Sequence, residues 1–252
     1  MKYFLSLIFC GAMITATLTS AAQAKKTTTQ KAVTSKKTVV ASRNNKKVST
    51  VRIKAAVDTS IRIKIWTDSG TMIVKLYDST PLHRDNFAKL VKQGFYDSLI
   101  FHRVIAGFMI QGGDPTSKNA APDVMLGNGG SDMTRIPAEF RSTLFHKKGV
   151  LAAARDNNPE KASSACQFYL VQGKAYSDQD LNNIELSIGH KFSAEQRLAY
   201  KTIGGTPFLD QNYTVFGEVI SGMDVIDKIA RSQTNGANRP LKDIRMKMEP
   251  VK

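Results

Sequence analysis

From residue 61 onward the chain is a succession of short apolar runs, each stopped by Gly, Pro, Asn or Asp. They lie at 99–105, 108–111, 149–154, 168–172 and 214–220. Runs of this length suit strands and are too short for buried helices. Ile61, Ile63 and Ile65 alternate with Arg62, Lys64 and Trp66, the period of a half-buried strand. Asp68-Ser69-Gly70 is a turn, and Met72, Val74 and Leu76 return as the second strand of a hairpin. Trp66, at the strand end, reads as core. Two segments carry the helical period instead. Thr80 is placed to cap one of them, Pro81 fits its first position, Phe87, Leu90 and Val91 form its stripe, and Gly94 ends it. The other follows Ser221-Gly222, with Val225, Ile226 and Ile229 on one face. Ile244, Met246 and Met248 alternate as a last strand. This pattern predicts a mainly β domain, an antiparallel β-barrel with two helices over its ends, spanning 58–252. Residues 173–206 break the rhythm. Ser177 and Ser193 each precede an acidic first turn, Ser193 to Gln196 is a capping box, and Gly204-Gly205 closes the segment. We read a small insertion of two helices.

The basic charge is confined to one segment. The chain has 36 Lys/Arg against 21 Asp/Glu, yet residues 25–64 hold 12 of those bases and a single acid, Asp58. Residues 65–252 keep 23 bases against 20 acids and are only mildly basic. Residues 25–57 are rich in Lys, Thr, Ser, Asn and Val and lack aromatics, a composition that cannot offset its ordering entropy. They read as a disordered basic linker able to touch anionic surfaces weakly. No aromatics interleave to stack on bases, so no specific nucleic-acid partner is expected. Residues 1–24 read as a cleaved signal peptide: Lys2, an apolar stretch from Phe4 to Leu18, then Ala22-Gln23-Ala24. That places the mature chain in the periplasm or outside the cell, with no membrane span after cleavage. A lipoprotein anchored at Cys10 is the lesser alternative, because the bulky Phe9 precedes it.

Cleavage leaves Cys166 as the one cysteine of the mature chain, so no intramolecular disulfide can form. Its place before an apolar run reads as a buried small residue. His83, His102, His146 and His190 are scattered without ligand spacing, so neither a metal nor a cofactor is expected.

The most informative segment is Phe101-His102-Arg103, followed by Gly107-Phe108-Met109 and Gln111-Gly112-Gly113-Asp114. Together with residues 149–154, Gln167-Phe168-Tyr169, Leu209-Asp210 and Val215-Phe216-Gly217, it closely resembles the cyclophilin family over residues 61–249. The resemblance implies a closed, eight-stranded barrel and peptidyl-prolyl cis-trans isomerase activity on proline-containing polypeptides. By resemblance, Arg103 is the catalytic cation and Gln111 orients it and a substrate carbonyl. Phe108, Met109, Tyr169, Leu209 and Tyr213 line the proline pocket, and His102, Ala154, Arg155, Gln167 and Phe208 border the groove. The family often has Phe at the position of Tyr169, Asn at Arg155, Trp at Phe208 and His at Tyr213. Arg155 shifts the groove toward acidic peptides, and Phe208 lacks the indole donor associated with tight cyclosporin binding.

The residue types suit that chemistry on physical grounds. Rotation about an X-Pro bond faces a barrier of about 20 kcal/mol and makes or breaks no bond. In the twisted amide the prolyl nitrogen gains a lone pair, and a fixed guanidinium aimed at it stabilises that state over the planar one. Arg stays charged and holds a planar fork of donors. Two alternatives of other classes remain: a peptide-binding chaperone with little turnover, and a surface polyanion binder working through the basic linker.

Overall fold

The computed structural model describes residues 59–251, so the signal-peptide and linker readings lie outside the described residues. The hairpin forms as its alternation requires, with β1 (Arg62–Thr67) antiparallel to β2 (Gly70–Leu76). Ile63, Ile65, Met72, Val74 and Leu76 are all fully buried. The helix α1 (Pro81–Lys92) follows, then the short strands β3 (Arg103–Ile105) and β4 (Met109–Gly112). β5 (Val150–Ala153) and β6 (Phe168–Val171) are the next pair. The insertion supplies α2 (Asp178–Ile188) and α3 (Ala194–Thr202). β7 (Val215–Ser221), α4 (Met223–Ala230) and β8 (Met246–Pro250) complete the order.

The eight strands make one antiparallel sheet in the order β3-β4-β6-β5-β7-β2-β1-β8. The expected closed barrel is not formed. β3 and β8 are edges, and the chain just before each meets the other through the isolated bridge Ile100–Arg245. The result is a curled, open half-barrel. β3 itself forms no ladder with β8: the two edges meet ahead of β3, where the Ser98 amide donates to the Met246 carbonyl and the Phe101 amide to the Ile244 carbonyl.

Successive residues of β5 and β6 are all buried, because both faces of the sheet are covered there. Leu151, Ala153, Phe168 and Leu170 enter the main core with α1 and α4. Val150, Ala152, Tyr169 and Val171 face a second cluster with Met109, Phe108, Leu209 and Tyr213. That second face carries the candidate site.

Three local readings need correction or extension. Thr80 does not cap α1: its hydroxyl donates to the Tyr77 carbonyl instead. The cap comes from Glu139, whose carboxylate accepts the Leu82 amide at 3.2 Å and the His83 amide at 3.0 Å. Trp66 is not core but 42% exposed, with the Lys64 ammonium 3.8 Å from its ring centroid. Ser193 forms the expected capping box on α3, and Ser177 forms one with Asp180 on α2 as well, where the sequence alone points only to an acidic first turn. The insertion leaves and returns at one point. Lys174 and Gly205 exchange backbone hydrogen bonds, and a Cβ on Gly173 would fall 2.4 Å from the Gly205 Cα.

Glu139 also accepts from His83 Nδ1 at 2.7 Å, while His83 Nε2 meets the Ser163 hydroxyl at 3.0 Å. The Ser–His–Glu order is that of a hydrolytic triad, but all three side chains are buried and the carboxylate is spent on a helix end. The arrangement is structural. Removing Glu139 strands two helix amides and the imidazole at once. Glu139→Ala is expected to cost about 3 kcal/mol of unfolding free energy by urea titration, the range for breaking a buried charged network. A loss under about 1 kcal/mol would return the cap to solvent or to Thr80.

Candidate active site

The register of the sheet assembles the site. Arg103 on β3 pairs with Gln111 on β4, Gln111 with Tyr169 on β6, and Tyr169 with Ala152 on β5. Directly opposed residues share a face, so these four form one lateral row. Phe108 enters from the β3–β4 turn, Met109 from the start of β4, and Leu209 and Tyr213 from the chain between the insertion and β7. Arg103, Gln111, Tyr169, Phe108, Met109, Leu209 and Tyr213, with Ala154 and Arg155, line a cavity of about 100 Å³.

Three expected residues stand off this cavity. Gln167 lines an adjoining space of about 460 Å³ that also reaches Gln111 and Arg155. Phe208 is 41% exposed, its ring 5.6 Å from that of Phe108 at the rim. His102 is buried and lines a third space of about 390 Å³.

The orientation of Arg103 follows from hydrogen-bond polarity. The carbonyls of Gly127 and Gly129 only accept, so the Gln167 amide nitrogen donates to them, at 2.8 and 2.9 Å. The Gln167 oxygen then accepts from the Gln111 nitrogen at 3.1 Å. That leaves the Gln111 oxygen to take an Arg103 Nη1 hydrogen at 3.2 Å. Among the described residues no carboxylate pairs with Arg103, whose remaining donors are free for a ligand at the cavity. Arg155 is held by the Asn212 and Asp156 carbonyls and lies 4.7 Å from the Tyr213 ring centroid.

The loop bearing Gly127 and Gly129 is fixed in turn by Asp114. Its carboxylate accepts both glycine amides and the Thr116 amide and hydroxyl. Burial alone would raise the Asp114 carboxyl, but the Thr116 and glycine donors outweigh it and hold it below the usual carboxylate range. Gly129 is required here, since a Cβ on it would lie 1.9 Å from Asp114 Oδ1.

A sequence profile described as "Cyclophilin type peptidyl-prolyl cis-trans isomerase/CLD" matches residues 62–249. The chain belongs to the cyclophilin family. A Staphylococcus haemolyticus protein named "Putative peptidyl-prolyl cis-trans isomerase" is 33% identical over 192 residues, covering 76% of this chain and 91% of that protein. A Staphylococcus aureus protein of the same name is 34% identical over 185 residues, covering 73% and 88%. In fold, this cyclophilin is similar to the crystal structure of a Cryptosporidium parvum cyclophilin-type isomerase, with a TM-score of 0.54, 22% identity, and coverage of 77% of this chain and 98% of that one. The Cryptosporidium parvum protein has also been solved in the presence of the dipeptide Ala-Pro.

Sequence reasoning missed the support behind the row. Asp114, Gly127 and Gly129 set the polarity of the relay, and His146 and Asp210 hold the Tyr169 hydroxyl from behind. The signal for the second pair was present: Tyr169 stands where the family often has Phe, and a buried phenol needs a partner.

His102 is 3% exposed and neither ring nitrogen has a hydrogen-bond partner among the described residues. Burial pushes it from 6.5 down to about 4, with Asp114 opposing and Arg103 and Arg239 adding to the drop. The unfolded chain therefore binds the extra proton first, and stability falls as pH drops from about 6.5 to about 4. The span corresponds to about 3 kcal/mol. Unfolding free energy measured across that window should flatten in His102→Phe relative to the native chain. An unchanged slope would mean that the ring is solvated and titrates normally.

Proposed function

We propose that this cyclophilin rotates X-Pro bonds in exported polypeptides by holding the Arg103 guanidinium against the twisted amide while the small apolar cavity clasps the prolyl ring. The observation that carries the reading is a guanidinium with no carboxylate partner among the described residues, oriented by Gln111 on the wall of a cavity of about 100 Å³. Speeding a process of tens of seconds into milliseconds is ~10⁴-fold, or about 5.5 kcal/mol. The planar ground state offers Arg103 no prolyl lone pair, whereas the twisted state does, so its contribution falls on the transition state. The reaction moves no proton permanently, and buried His102, held neutral, serves as groove structure and not as a base. That the Cryptosporidium parvum protein was solved in the presence of Ala-Pro accords with a prolyl residue as occupant. Arg155, touching the proline cavity and both flanking spaces, favours an acidic residue beside the proline. The export part of the reading rests on residues 1–24 and stands or falls with whether the mature chain begins at Lys25.

In a protease-coupled peptide assay, Arg103→Ala should lower kcat/KM by about tenfold or more, at least 1.4 kcal/mol, with unfolding unchanged. Arg103→Lys should recover little, since an ammonium lacks the planar fork. With glutamate or lysine before the proline, the native chain should prefer glutamate by about threefold, the scale of one half-exposed ion pair, and Arg155→Gln should erase the preference. Turnover at the native rate in folded Arg103→Ala would remove Arg103 from the mechanism.

A further inference from the structure

Isomerase chemistry leaves the insertion without a task. Its interior is a small cluster of its own, with Leu181, Phe192 and Tyr200 packed on Phe145. Tyr200 is the member that looks beyond it. Its ring is fully buried and its hydroxyl donates to Asp210 Oδ2 at 2.6 Å. Asp210 Oδ1 accepts the His146 amide and His146 Nδ1, each at 2.8 Å. With its proton on Nδ1, the imidazole presents Nε2 as an acceptor, and the Tyr169 hydroxyl fills it at 3.0 Å. Tyr169 is part of the wall of the proline cavity. An unbroken chain of buried side chains thus runs from α3 to the site.

We propose that the insertion is a positioning device for the proline pocket, with Tyr200 acting through Asp210 and His146 on the Tyr169 ring. This rests on the isomerase reading for its effect on turnover, though not for its effect on the ring. Polarity makes the chain one-directional. Tyr200 faces a carboxylate, which only accepts, and with the His146 proton on Nδ1 toward Asp210 the Tyr169 hydroxyl is the donor to Nε2. Asp210 and His146 lie between them, buried and so without solvent as an alternative partner. The Tyr169 ring is further held parallel to His146, centroids 6.1 Å apart, and edge-on to Tyr213 at 6.0 Å. In a cavity this small, a displacement of a few tenths of an ångström in one wall changes the fit of the prolyl ring.

The test uses the full chain with Tyr200→Phe and Tyr169→Phe, singly and together. Tyr200→Phe alone should lower kcat/KM on a proline tetrapeptide by about three- to fivefold, mostly through KM, as expected for lost preorganisation. Added to Tyr169→Phe, where the chain is already cut at the pocket, it should change kcat/KM by less than about 1.5-fold. Its cost in thermal midpoint should recur in both backgrounds. His146→Phe removes both ring nitrogens while keeping a ring against Tyr169, so it cuts the chain at its middle and should match Tyr200→Phe in kinetics. In the free protein, Tyr200→Phe should also shift the Tyr169 ring resonances, a readout independent of turnover. Equal kinetic losses in both backgrounds, or Tyr169 resonances that stay in place, would overturn the proposal. A native chain without turnover whose Tyr169 resonances still follow Tyr200→Phe would instead strike the isomerase reading and leave the positioning chain standing.

Discussion

A carboxylate can only accept hydrogen bonds and a peptide carbonyl can only accept them too. Between these two constraints the direction of the whole site is set. Asp114 gathers the amides of Gly127 and Gly129 and so fixes how their loop lies. The carbonyls of the same two glycines then demand donors, and Gln167 supplies them. Each amide along the line is left with one possible sense, and the last oxygen, on Gln111, faces Arg103. A guanidinium on an exposed strand would sample many rotamers. Here one of its donors is committed to a chain of groups whose far end is an anion held below the usual carboxylate range, so the Asp114 end stays ionised at neutral pH. The Gln-Gly-Gly-Asp segment is therefore more than a family marker: its first residue orients the cation and its last anchors the loop that orients the first.

Much of this was legible because it is local or periodic. Alternation gave the hairpin and put Ile63 and Ile65 inside. The same alternation puts Trp66 outside with Lys64, so a core tryptophan at the strand end runs against the period of its own strand. The serine caps of α2 and α3 are complete within four residues each, so they are local. The cap of α1 is not: Thr80 had the right type and place, but Glu139 reaches the helix from 57 residues away in sequence at Leu82. Closure of the barrel likewise depends on whether β3 meets β8, and strand lengths in sequence carry no information on that pairing. Residue types at the site came through the resemblance to cyclophilins. Which residues stand side by side came only from register, as in the row from Arg103 to Ala152.

The two faces of the central strands divide the labour. One is a conventional core under α1 and α4, rich in rings that meet edge to face around Phe87 and Phe168. The other lines the small cavity, and its floor is supported from behind by polar groups instead of by a helix. The insertion docks at that support. It enters and leaves through the Lys174–Gly205 bridge and meets the domain at Phe145, the residue before His146. An added segment at this place is thus coupled to the pocket without entering it.

The central claim is that the groove turns over prolyl bonds and does not merely hold peptides. Exchange NMR on a short X-Pro peptide with a substoichiometric amount of the full chain tests it most directly. Uncatalysed interconversion takes about 10–100 s at 25 °C, so cross-peaks between cis and trans signals at mixing times well under a second require catalysis. Such cross-peaks are expected, together with peptide-induced shifts along the Arg103–Gln111–Tyr169 row. Shifts along that row with no exchange cross-peaks would make the protein a peptide-binding module and not an isomerase.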